Sequence, residues 1–508
     1  MTPRDSGVLS RDMHAHKIVE VGPLKEEEAR ELFEEIGGEQ ATNLILQRTA
    51  ENNEKIEGEQ PIKELVDDCK QLPIAIATLA STLENKNQIQ RRTTIKKLHS
   101  HQRLSKTEVN LSVMSPSLCS AIKLRYGDLE SKQLKQTLLL CSLMGQNAGI
   151  QDLLKYGIGL GLFPKANSIE AARDEALKLM KELRRNPSLL QEGGDNMHFD
   201  IHDSIQTVAI SIASREHGLL DLREDAAEDM FDKEAMKECK WIYLSNVDAR
   251  VAGHLPQRLK CPQLTFFHLD NKYPDLKIPD EFFWEADVLR VLGLTKMHFS
   301  SIPSSFSLLK NLHTLCLDQS KLGTILVSVM RNLKNLQVLS LVGCDIEELP
   351  QETVQLAKLK LLDLSDCTKL EVIPPGILKS LSQLEELYLG NSFDQWKHIK
   401  KQDTRRNASL DELTQLKNLT NLEVRIHDIN MIPNDFFSIE LKRYKIFIGD
   451  LWNHWGSYFE YSKTLKLKHD GSIRSDEVIR LPNKVEELHL ERLNGVKDVF
   501  NGSLGMHF

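Results

Sequence analysis

The chain has 508 residues, which is too long for one ordinary domain and enough for two to four. Its hydrophobic content of 41%, charged content of 27% and net charge of −8 are typical of a globular protein and exclude a strongly basic nucleic-acid-binding surface. No run of apolar residues is long enough to span a membrane.

Eight cysteines are scattered singly along the chain, and no Cys-x-x-Cys pair occurs. The spacing therefore indicates neither a zinc site nor a dithiol redox motif, and we predict no metal site. Because the chain has no signal peptide, the cysteines are expected to be reduced thiols of a cytoplasmic protein.

The first part of the chain predicts one strand followed by helices. Residues 17–21, KIVEV, read as a strand, and Gly37-Gly38 end the helix that follows Pro23. That helix has an apolar stripe at Ala29, Leu32, Phe33 and Ile36. A helical pair over 61–69 and 73–84 places Pro73 at an early helical position, where no backbone N–H is needed.

The next part predicts a winged-helix domain. Helices are expected across 118–163 and near 168–185, followed by a short strand over Met197–Ile201. Asp203 is a good N-cap for the helix after it, and Gln206 is placed to complete a capping box. One apolar face of that helix comprises Ile205, Val208, Ala209 and Ile212.

From about residue 239 the sequence repeats the pattern L-x-x-L-x-L. The first positions fall at 239, 264, 289, 312, 336, 359 and 384, in steps of 25, 25, 23, 24, 23 and 25 residues. An Ile-Pro or Leu-Pro pair follows most repeats and is expected to turn the chain back on the convex side, where no ladder N–H is needed. Cys344 and Cys367 occupy the Asn/Cys position of the pattern, where a side chain is expected to bond to backbone at the end of the strand. This regularity predicts leucine-rich repeats, each of which buries its leucines only against its neighbours. The pattern weakens after Leu389 and fits poorly over 440–480.

Residues between the leucines are expected to point outward onto the concave face of the repeats. Their mixed chemistry indicates a surface for protein partners rather than a catalytic site, the alternative being plain solvated surface. The predicted partner surface comprises Thr314, Asp318, Ser340, Asp363, Glu386, Tyr388, Glu423 and Arg425. Replacing Tyr388 or Arg425 is expected to alter partner choice while leaving melting nearly unchanged.

Five motifs in order resemble those of plant intracellular disease resistance proteins of the coiled-coil, NB-ARC, leucine-rich-repeat family. Their residues are Thr2-Pro3-Arg4 (Thr-x-Arg), LKEEEARELF from Leu24 (first helical subdomain), QLPIAIATLA from Gln71 (Gly-Leu-Pro-Leu-Ala, with Gln71 for glycine), IKLRYGDLE from Ile122 (start of the winged helix) and Ile201-His202-Asp203 (Met-His-Asp, with Ile for Met).

The resemblance implies an ADP/ATP-dependent switch rather than an enzyme. It assigns His202 to the β-phosphate of ADP, Pro73 to the adenine, Arg4 to the phosphate end and Asp203 to the orientation of His202. In such receptors ADP holds the closed form, and the repeats supply recognition and autoinhibition. The implied partners are a pathogen effector, a guarded host protein or other immune receptors, with no nucleic acid.

The sequence departs from the family at the phosphate-binding loop. The pattern G-x-x-x-x-G-K-[ST] is missing, since no Gly-Lys dipeptide occurs in the chain. We therefore expect a receptor truncated at its N-terminus that binds ADP or ATP weakly or not at all. An alternative is a leucine-rich-repeat binding scaffold or decoy without any nucleotide role. The missing loop argues against an NTP hydrolase, and the absent signal peptide argues against an extracellular receptor.

The predicted fold class is an α-rich helical subdomain plus a winged-helix domain, followed by an α/β leucine-rich-repeat solenoid. The predicted domains are a remnant of the nucleotide-binding α/β domain (1–22), the helical subdomain (23–115), the winged-helix domain (116–218), a linker (219–236) and the repeats (237–508).

Overall fold

The structure is a computed structural model that describes most of the chain between residues 22 and 491. The described ranges are 22–38, 67–69, 72–105, 114–185, 189–192, 197–222, 231, 236–273, 275–323, 326–397, 406–449, 463–468 and 485–491. The predicted strand at 17–21, the Thr2-Pro3-Arg4 motif and Gln71 lie outside them.

The chain divides into two compact units. The first comprises residues 1–135, 183–191 and 201–209, and the second comprises 136–182, 192–200 and 210–508. The second unit therefore holds both the repeats and a stretch of chain that precedes them.

Helices dominate the described residues of the first unit up to residue 135. Their bounds are α1 (Glu26–Gly37), α2 (Pro73–Ser81), α3 (Gln88–Ser105), α4 (Pro116–Asp128) and the start of α5 (Lys132–Met144). Helix α1 packs against α2, and α3 packs against α4. As predicted, Gly38 follows the end of α1 with a positive φ of 79° that favours glycine, and Pro73 is the first residue of α2.

Short strands and helices follow before the repeats begin. They are β1 (Ala148–Gly149), α6 (Ile150–Leu160), α7 (Ile169–Arg184), β2 (Gln191–Glu192), β3 (His198–Asp200) and α8 (Asp203–His217). Strands β1 and β3 pair antiparallel, with Ala148 opposite Phe199. The helix predicted near 168–185 is thus present as α7, while the assignment of this region to a winged-helix domain stays a prediction.

The second unit is built on a parallel sheet that, in the described residues, runs in sequence order from β4 to β15. Its strands are β4 (Leu220–Leu222), β5 (Trp241–Val247), β6 (Phe266–Asn271), β7 (Val291–Thr295), β8 (Thr314–Cys316), β9 (Val338–Ser340), β10 (Leu361–Asp363), β11 (Glu386–Tyr388), β12 (Asn421–Ile426), β13 (Arg443–Ile448), β14 (Lys463–Lys468) and β15 (Glu487–Glu491). Each strand pairs with the next without a crossover, which is the order of a leucine-rich-repeat solenoid.

Short helical segments connect the strands on the convex side. The α-helical ones are α9 (Ala249–Ala252), α10 (Leu326–Met330), α11 (Ile377–Ser380) and α12 (Asp411–Thr414). Turns of 3₁₀-helix cover Ser304–Leu308, Gln351–Gln355, Ile429–Met431 and Phe436–Ser438. The first two follow Pro303 and Pro350, which supports the prediction that these prolines turn the chain on the convex side.

The leucines of the pattern form one continuous core between the strands and the convex segments. Leu339, Leu362 and Leu387 belong to it, and each is at most 1% exposed. The thiols of Cys344 and Cys367 donate to carbonyls of the preceding repeat, Leu317 O at 3.1 Å and Leu341 O at 3.0 Å. The Asn/Cys position therefore has the backbone-bonding role that the sequence predicts for it.

The sheet is longer than the sequence pattern indicates. Strand β4 lies inside 219–236, the range predicted as a linker, and pairs in parallel with β5. Strands β13 and β14 lie inside 440–480, where the leucine pattern fits poorly, and they continue the ladder from β12. The backbone N–H and C=O groups of these strands form hydrogen bonds with the neighbouring strands, and this pairing does not require a leucine repeat. Within the described ranges, no helix combines the length and the hydrophobicity that a bilayer crossing requires.

Candidate functional site: the concave face of the repeats

The residues between the leucines align in rows across neighbouring strands on the concave face. One row passes through Thr314, Val338, Leu361, Glu386 and Asn421. The next row, two residues further along each strand, passes through Cys316, Ser340, Asp363, Tyr388 and Glu423. This register is the one that the sequence predicts, because side chains alternate between the two faces of a strand.

Helix α6 lies on this face and places a lysine on it. The Lys155 ammonium donates to Ser340 Oγ at 2.9 Å and pairs with Asp363 Oδ2 at 2.9 Å. Its side chain is 4% exposed and that of Asp363 is 0% exposed, so the ion pair is out of water. Burial lowers the pKa of Lys155, but Asp363, Asp318 and Asp152 raise that pKa well above its usual value. The lysine is therefore fully charged, and the carboxylates around it hold that charge in place.

Helix α7 places an arginine on the neighbouring strands. One terminal nitrogen of Arg173 lies 2.7 Å from both carboxylate oxygens of Glu386, and both side chains are 0% exposed. Glu386 also accepts from the Tyr388 hydroxyl at 2.6 Å and from Asn421 Nδ2 at 2.8 Å. The other terminal nitrogen of Arg173 donates to Gln151 Oε1 at 2.7 Å. Arg173 thus ties α7 both to the repeats and to α6.

Further contacts extend this interface around the two ion pairs. The Ile169 N–H at the start of α7 donates to Glu385 Oε2 at 2.5 Å. Lys360 donates to the Asn167 carbonyl at 3.0 Å and also pairs with Glu385 at 2.9 Å. These groups fix the loop before α7, so the docked position depends on backbone contacts as well as on the two buried cations.

A glycine lets α6 approach the strands closely. A Cβ at position 159 would lie 2.7 Å from Thr314 Oγ1 and in still closer contact with Val291. Thr314 uses that hydroxyl to donate to the Lys155 carbonyl at 2.8 Å. Gly159 is therefore required by close packing at this point and not by an unusual backbone angle.

A polar cavity of about 330 Å³ opens beside the N-terminus of α6. Tyr156, Tyr243 and His268 line one side, with the Tyr243 and His268 rings stacked 4.6 Å apart and the Tyr156 hydroxyl 3.2 Å from His268 Nδ1. Asp152 and Asp318 line the other side. Burial lowers the pKa of His268 to about 4, so this ring is neutral at physiological pH. Burial raises the pKa of Asp318 to about 6, against the opposing effect of Lys155.

Glu423 gives the concave face a dependence on pH. Burial raises its pKa to about 7 from a usual value of 4.5, although the nearby Lys445 acts in the opposite direction. The folded state therefore binds this proton more tightly than the unfolded state, and stability falls as pH rises from about 4.5 to about 7. We expect Glu423→Gln to remove that fall. Urea midpoints measured at about pH 5 and about pH 8 should drop more for the wild type than for Glu423→Gln.

Comparing the wild type with Glu423→Gln separates the effect of Glu423 on stability from that of His268. The contribution of His268 has the opposite pH dependence. A lowered histidine pKa reduces stability as pH falls below the usual value of 6.5, and this contribution is the same in both proteins. Parallel pH profiles for the two proteins would contradict the assignment of a raised pKa to Glu423.

The predicted partner residues are thus brought together, but the chain's own helices cover most of them. Thr314, Ser340, Asp363, Glu386 and Tyr388 are each at most 1% exposed, and Glu423 is 7% exposed. The expectation of a solvent-facing surface is therefore wrong for these positions, and the burial of Tyr388 removes the reason to expect unchanged melting when it is replaced. Their role toward a partner stays a prediction.

Two predicted partner residues lie at the margin of the covered area. Asp318 lines the cavity and accepts from the Val342 N–H at 3.0 Å. Arg425 lies 3.6 Å from Asp394 and retains 17% exposure of its side chain. Both are partly accessible in the docked arrangement, in contrast to the residues under α6 and α7.

The residues assigned to ADP by resemblance lie in the first unit where they are described. Pro73 is exposed at the start of α2, and Asp203 is exposed at the start of α8. His202 is half-buried, and its Nδ1 accepts from the Ser204 N–H at 3.2 Å. Arg4 lies outside the described residues. Their roles toward nucleotide stay predictions.

The N-cap prediction at this helix is wrong by one residue. The His202 carbonyl accepts the first helical bond, from Gln206 N at 2.9 Å, so His202 and not Asp203 is the cap. An imidazole nitrogen can accept a hydrogen bond from the backbone as an aspartate oxygen does, so the His202 side chain can serve as the N-cap in place of Asp203.

The repeats match a known family model, and most of the chain is similar to known plant proteins. Residues 283–495 match the family model described as a leucine-rich repeat region. Disease resistance protein At4g27190 of Arabidopsis thaliana is 25% identical over 453 residues, which cover 87% of this chain and 43% of the relative. Probable disease resistance protein At4g27220 of the same plant is 27% identical over 444 residues, covering 85% and 45%.

The chain is a homologue of plant disease resistance proteins. It spans less than half the length of the two relatives described above. A third relative, disease resistance protein UNI of Arabidopsis thaliana, is 24% identical, with 82% of this chain and 41% of the relative covered. The covered share of this disease resistance homologue extends well beyond its leucine-rich repeats.

Two solved structures are similar to part of the chain. The leucine-rich-repeat protein LIC12759 of Leptospira interrogans is 20% identical, with 54% of this chain and 64% of that chain covered and a TM-score of 0.34. The plant peptide hormone receptor RGFR1, in complex with RGF2, is 16% identical, with 46% and 38% covered and a TM-score of 0.29.

Proposed function

We propose that this chain is the repeat-bearing part of a cytoplasmic plant immune receptor whose recognition face is closed by its own helices. The observation that carries the proposal is the pair of buried ion pairs, Lys155 with Asp363 and Arg173 with Glu386. They occupy the concave strands at the positions where a leucine-rich-repeat protein offers side chains to a partner. Recognition of a pathogen effector or a guarded host protein then requires α6 and α7 to leave.

Two properties suit this closed state to a switch. A buried ion pair contributes little net stability, because the desolvation of both charges offsets most of their attraction. Removing one member, however, costs about 3–5 kcal/mol, because the other charge is left buried without its partner. A partner that takes over one carboxylate therefore removes an ion pair that holds the helix and shifts the balance toward the open state.

A charge reversal at Lys155 tests the closed state. Lys155→Glu places a fourth carboxylate beside Asp363, Asp318 and Asp152, so we expect α6 to leave the strands. Hydrogen–deuterium exchange of the α6 amides should then accelerate by at least about tenfold, equivalent to about 1.4 kcal/mol of opening free energy. Lys165→Glu is the matched control, since Lys165 is exposed in the loop between α6 and α7. Equal protection of α6 in wild type and Lys155→Glu would contradict the proposal.

The nucleotide part of the proposal concerns the full-length receptor. We propose that ADP holds the closed form and that exchange for ATP opens it, with His202 toward the phosphates and Pro73 toward the adenine. The cradle of backbone N–H groups and the lysine that bind most of the phosphate charge are missing from this sequence. The remaining groups supply too few contacts for tight binding.

This predicts the behaviour of the isolated chain toward nucleotide. Titration calorimetry of the purified chain with ADP should give no measurable heat of binding at concentrations up to about 1 mM, which corresponds to a binding free energy weaker than about −4 kcal/mol. Micromolar affinity for ADP would contradict the assignment of the phosphate contacts to the missing loop. Loss of that affinity in His202→Ala would then locate the site.

A further inference from the structure

The concave face under α6 and α7 is acidic. Five carboxylates lie on it. They belong to Asp318 after β8, Asp363 of β10, Glu385 just before β11, Glu386 of β11 and Glu423 of β12. In the closed state two of them hold a cation from the covering helices, and Glu385 pairs with Lys360. Without the helices, Asp363 and Glu386 lose the cations that pair with them in the closed state.

This face has two cation-binding positions, called seats below, and they differ in chemistry. The first, on β9 and β10, offers the Ser340 hydroxyl and one oxygen of Asp363 to an ammonium group. The second, on β11 and β12, offers both oxygens of Glu386, oriented by Tyr388 and Asn421, to a guanidinium group. A planar guanidinium suits two carboxylate oxygens, whereas an ammonium is a compact point charge.

The distance between the seats restricts what fits them. Asp363 lies opposite Tyr388, so Glu386 is one strand away and two residues further back. Adjacent strands are about 4.8 Å apart and two residues span about 6.6 Å, which puts the seats roughly 8 Å apart. One lysine and one arginine at i and i+4 of a helix, or at i and i+2 of a strand, span about 5–7 Å between Cβ atoms and reach both seats with their long side chains.

We propose that the partner that replaces α6 and α7 is a protein segment presenting a lysine and an arginine at this spacing. The inference rests on the proposed closed state and adds to it the chemistry of the partner. The partner reproduces the charges of Lys155 and Arg173, so its ion pairs with Asp363 and Glu386 replace those that the helices lose on opening. An acidic protein segment is repelled by the same carboxylates.

The test uses the full chain in an opened form and a defined peptide probe. Lys155→Met/Arg173→Met removes both cations and leaves the seats intact, and Gly159→Ala is a second opened form that keeps all charges and displaces α6 by crowding Val291 and Thr314. Hydrogen–deuterium exchange first measures opening in both. The probe is a fluorescein-labelled, alanine-based helical peptide of about 15 residues with Lys and Arg at i and i+4, and its control has Glu at both positions.

We expect the double variant to bind the Lys/Arg peptide at least about tenfold more tightly than the wild type does, by fluorescence anisotropy at about 0.15 M salt. Gly159→Ala frees only the seat under α6, because Arg173 keeps its pair with Glu386, so a smaller gain is expected there. Adding Asp363→Asn and Glu386→Gln to the double variant should return the affinity to that of the wild type. If the helices open but the Lys/Arg peptide binds no better than the Glu peptide, or binds equally well without the two carboxylates, the partner chemistry is wrong while the closed state stands. If neither variant opens, the closed state and the inference that rests on it are both overturned.

Discussion

Replacing Arg173 by methionine is expected to lower the free energy that holds α7 on the repeats by about 3–5 kcal/mol. Methionine keeps most of the side-chain volume, so the loss comes from charge and not from a cavity. Glu386 would be left 0% exposed with only the Tyr388 and Asn421 donors. An unpaired buried carboxylate either takes up a proton or becomes exposed to water. Exposure of Glu386 to water requires α7 to leave the repeats.

Native-state hydrogen exchange of the α7 amides measures this loss directly as a fall in opening free energy. Arg331→Met is the matched control, because the Arg331 side chain is 60% exposed and its pair with Glu352 lies at the surface, where such pairs contribute about 0–1 kcal/mol. Adding Glu386→Gln to Arg173→Met should recover part of the loss, since it removes the unpaired charge. A loss below about 1 kcal/mol in Arg173→Met would show that the ion pair does not hold the helix.

Leu362→Ala is expected to destabilise the repeats by about 2–5 kcal/mol. Leu362 is 0% exposed in the core of the solenoid, between Leu339 and Leu387 of the neighbouring strands. Each repeat buries its leucines only against its neighbours, so a cavity in β10 weakens both adjoining interfaces. Urea unfolding followed by circular dichroism measures the change. Val288→Ala, at a position with 37% exposure, should stay within about 0.5 kcal/mol of the wild type.

This experiment also tests the strand register. A shift by one residue would exchange the faces of the strand and put Leu362 on the concave side. A small effect of Leu362→Ala together with a large effect of Leu361→Ala would contradict both the core assignment and the rows of concave residues.

The repeats were predictable because their physical constraint is periodic and local. Each L-x-x-L-x-L copy places leucines on one side of a short strand, so the strands from β5 to β12 and the direction of Ser340 and Glu386 follow from spacing alone. Strands β13 and β14 lack the leucine spacing, with RYKIFI and KTLKLK in its place, and are specified by pairing with the preceding strand.

The covering of the concave face could not be predicted. It depends on contacts across more than 150 residues of sequence, such as the 208 that separate Lys155 from Asp363. A lysine in DLLKYG and an arginine in AARDEA read as ordinary helix-surface residues, because nothing within one helical turn distinguishes a buried cation from an exposed one. The nearest signal is the run Gly157-Ile-Gly159-Leu-Gly161, since glycine inside a helix weakens it and often marks a close approach.

A charge swap between Arg173 and Glu386 tests the closed state most directly. Arg173→Glu and Glu386→Arg each place like charges in contact, and each should accelerate hydrogen–deuterium exchange throughout α7. The double variant restores an opposite pair in the same seat, and protection of α7 should return at least in part. If the double variant exchanges as fast as the two single variants, α7 is not held on the concave face by this pair, and the account of a self-covered recognition surface is contradicted.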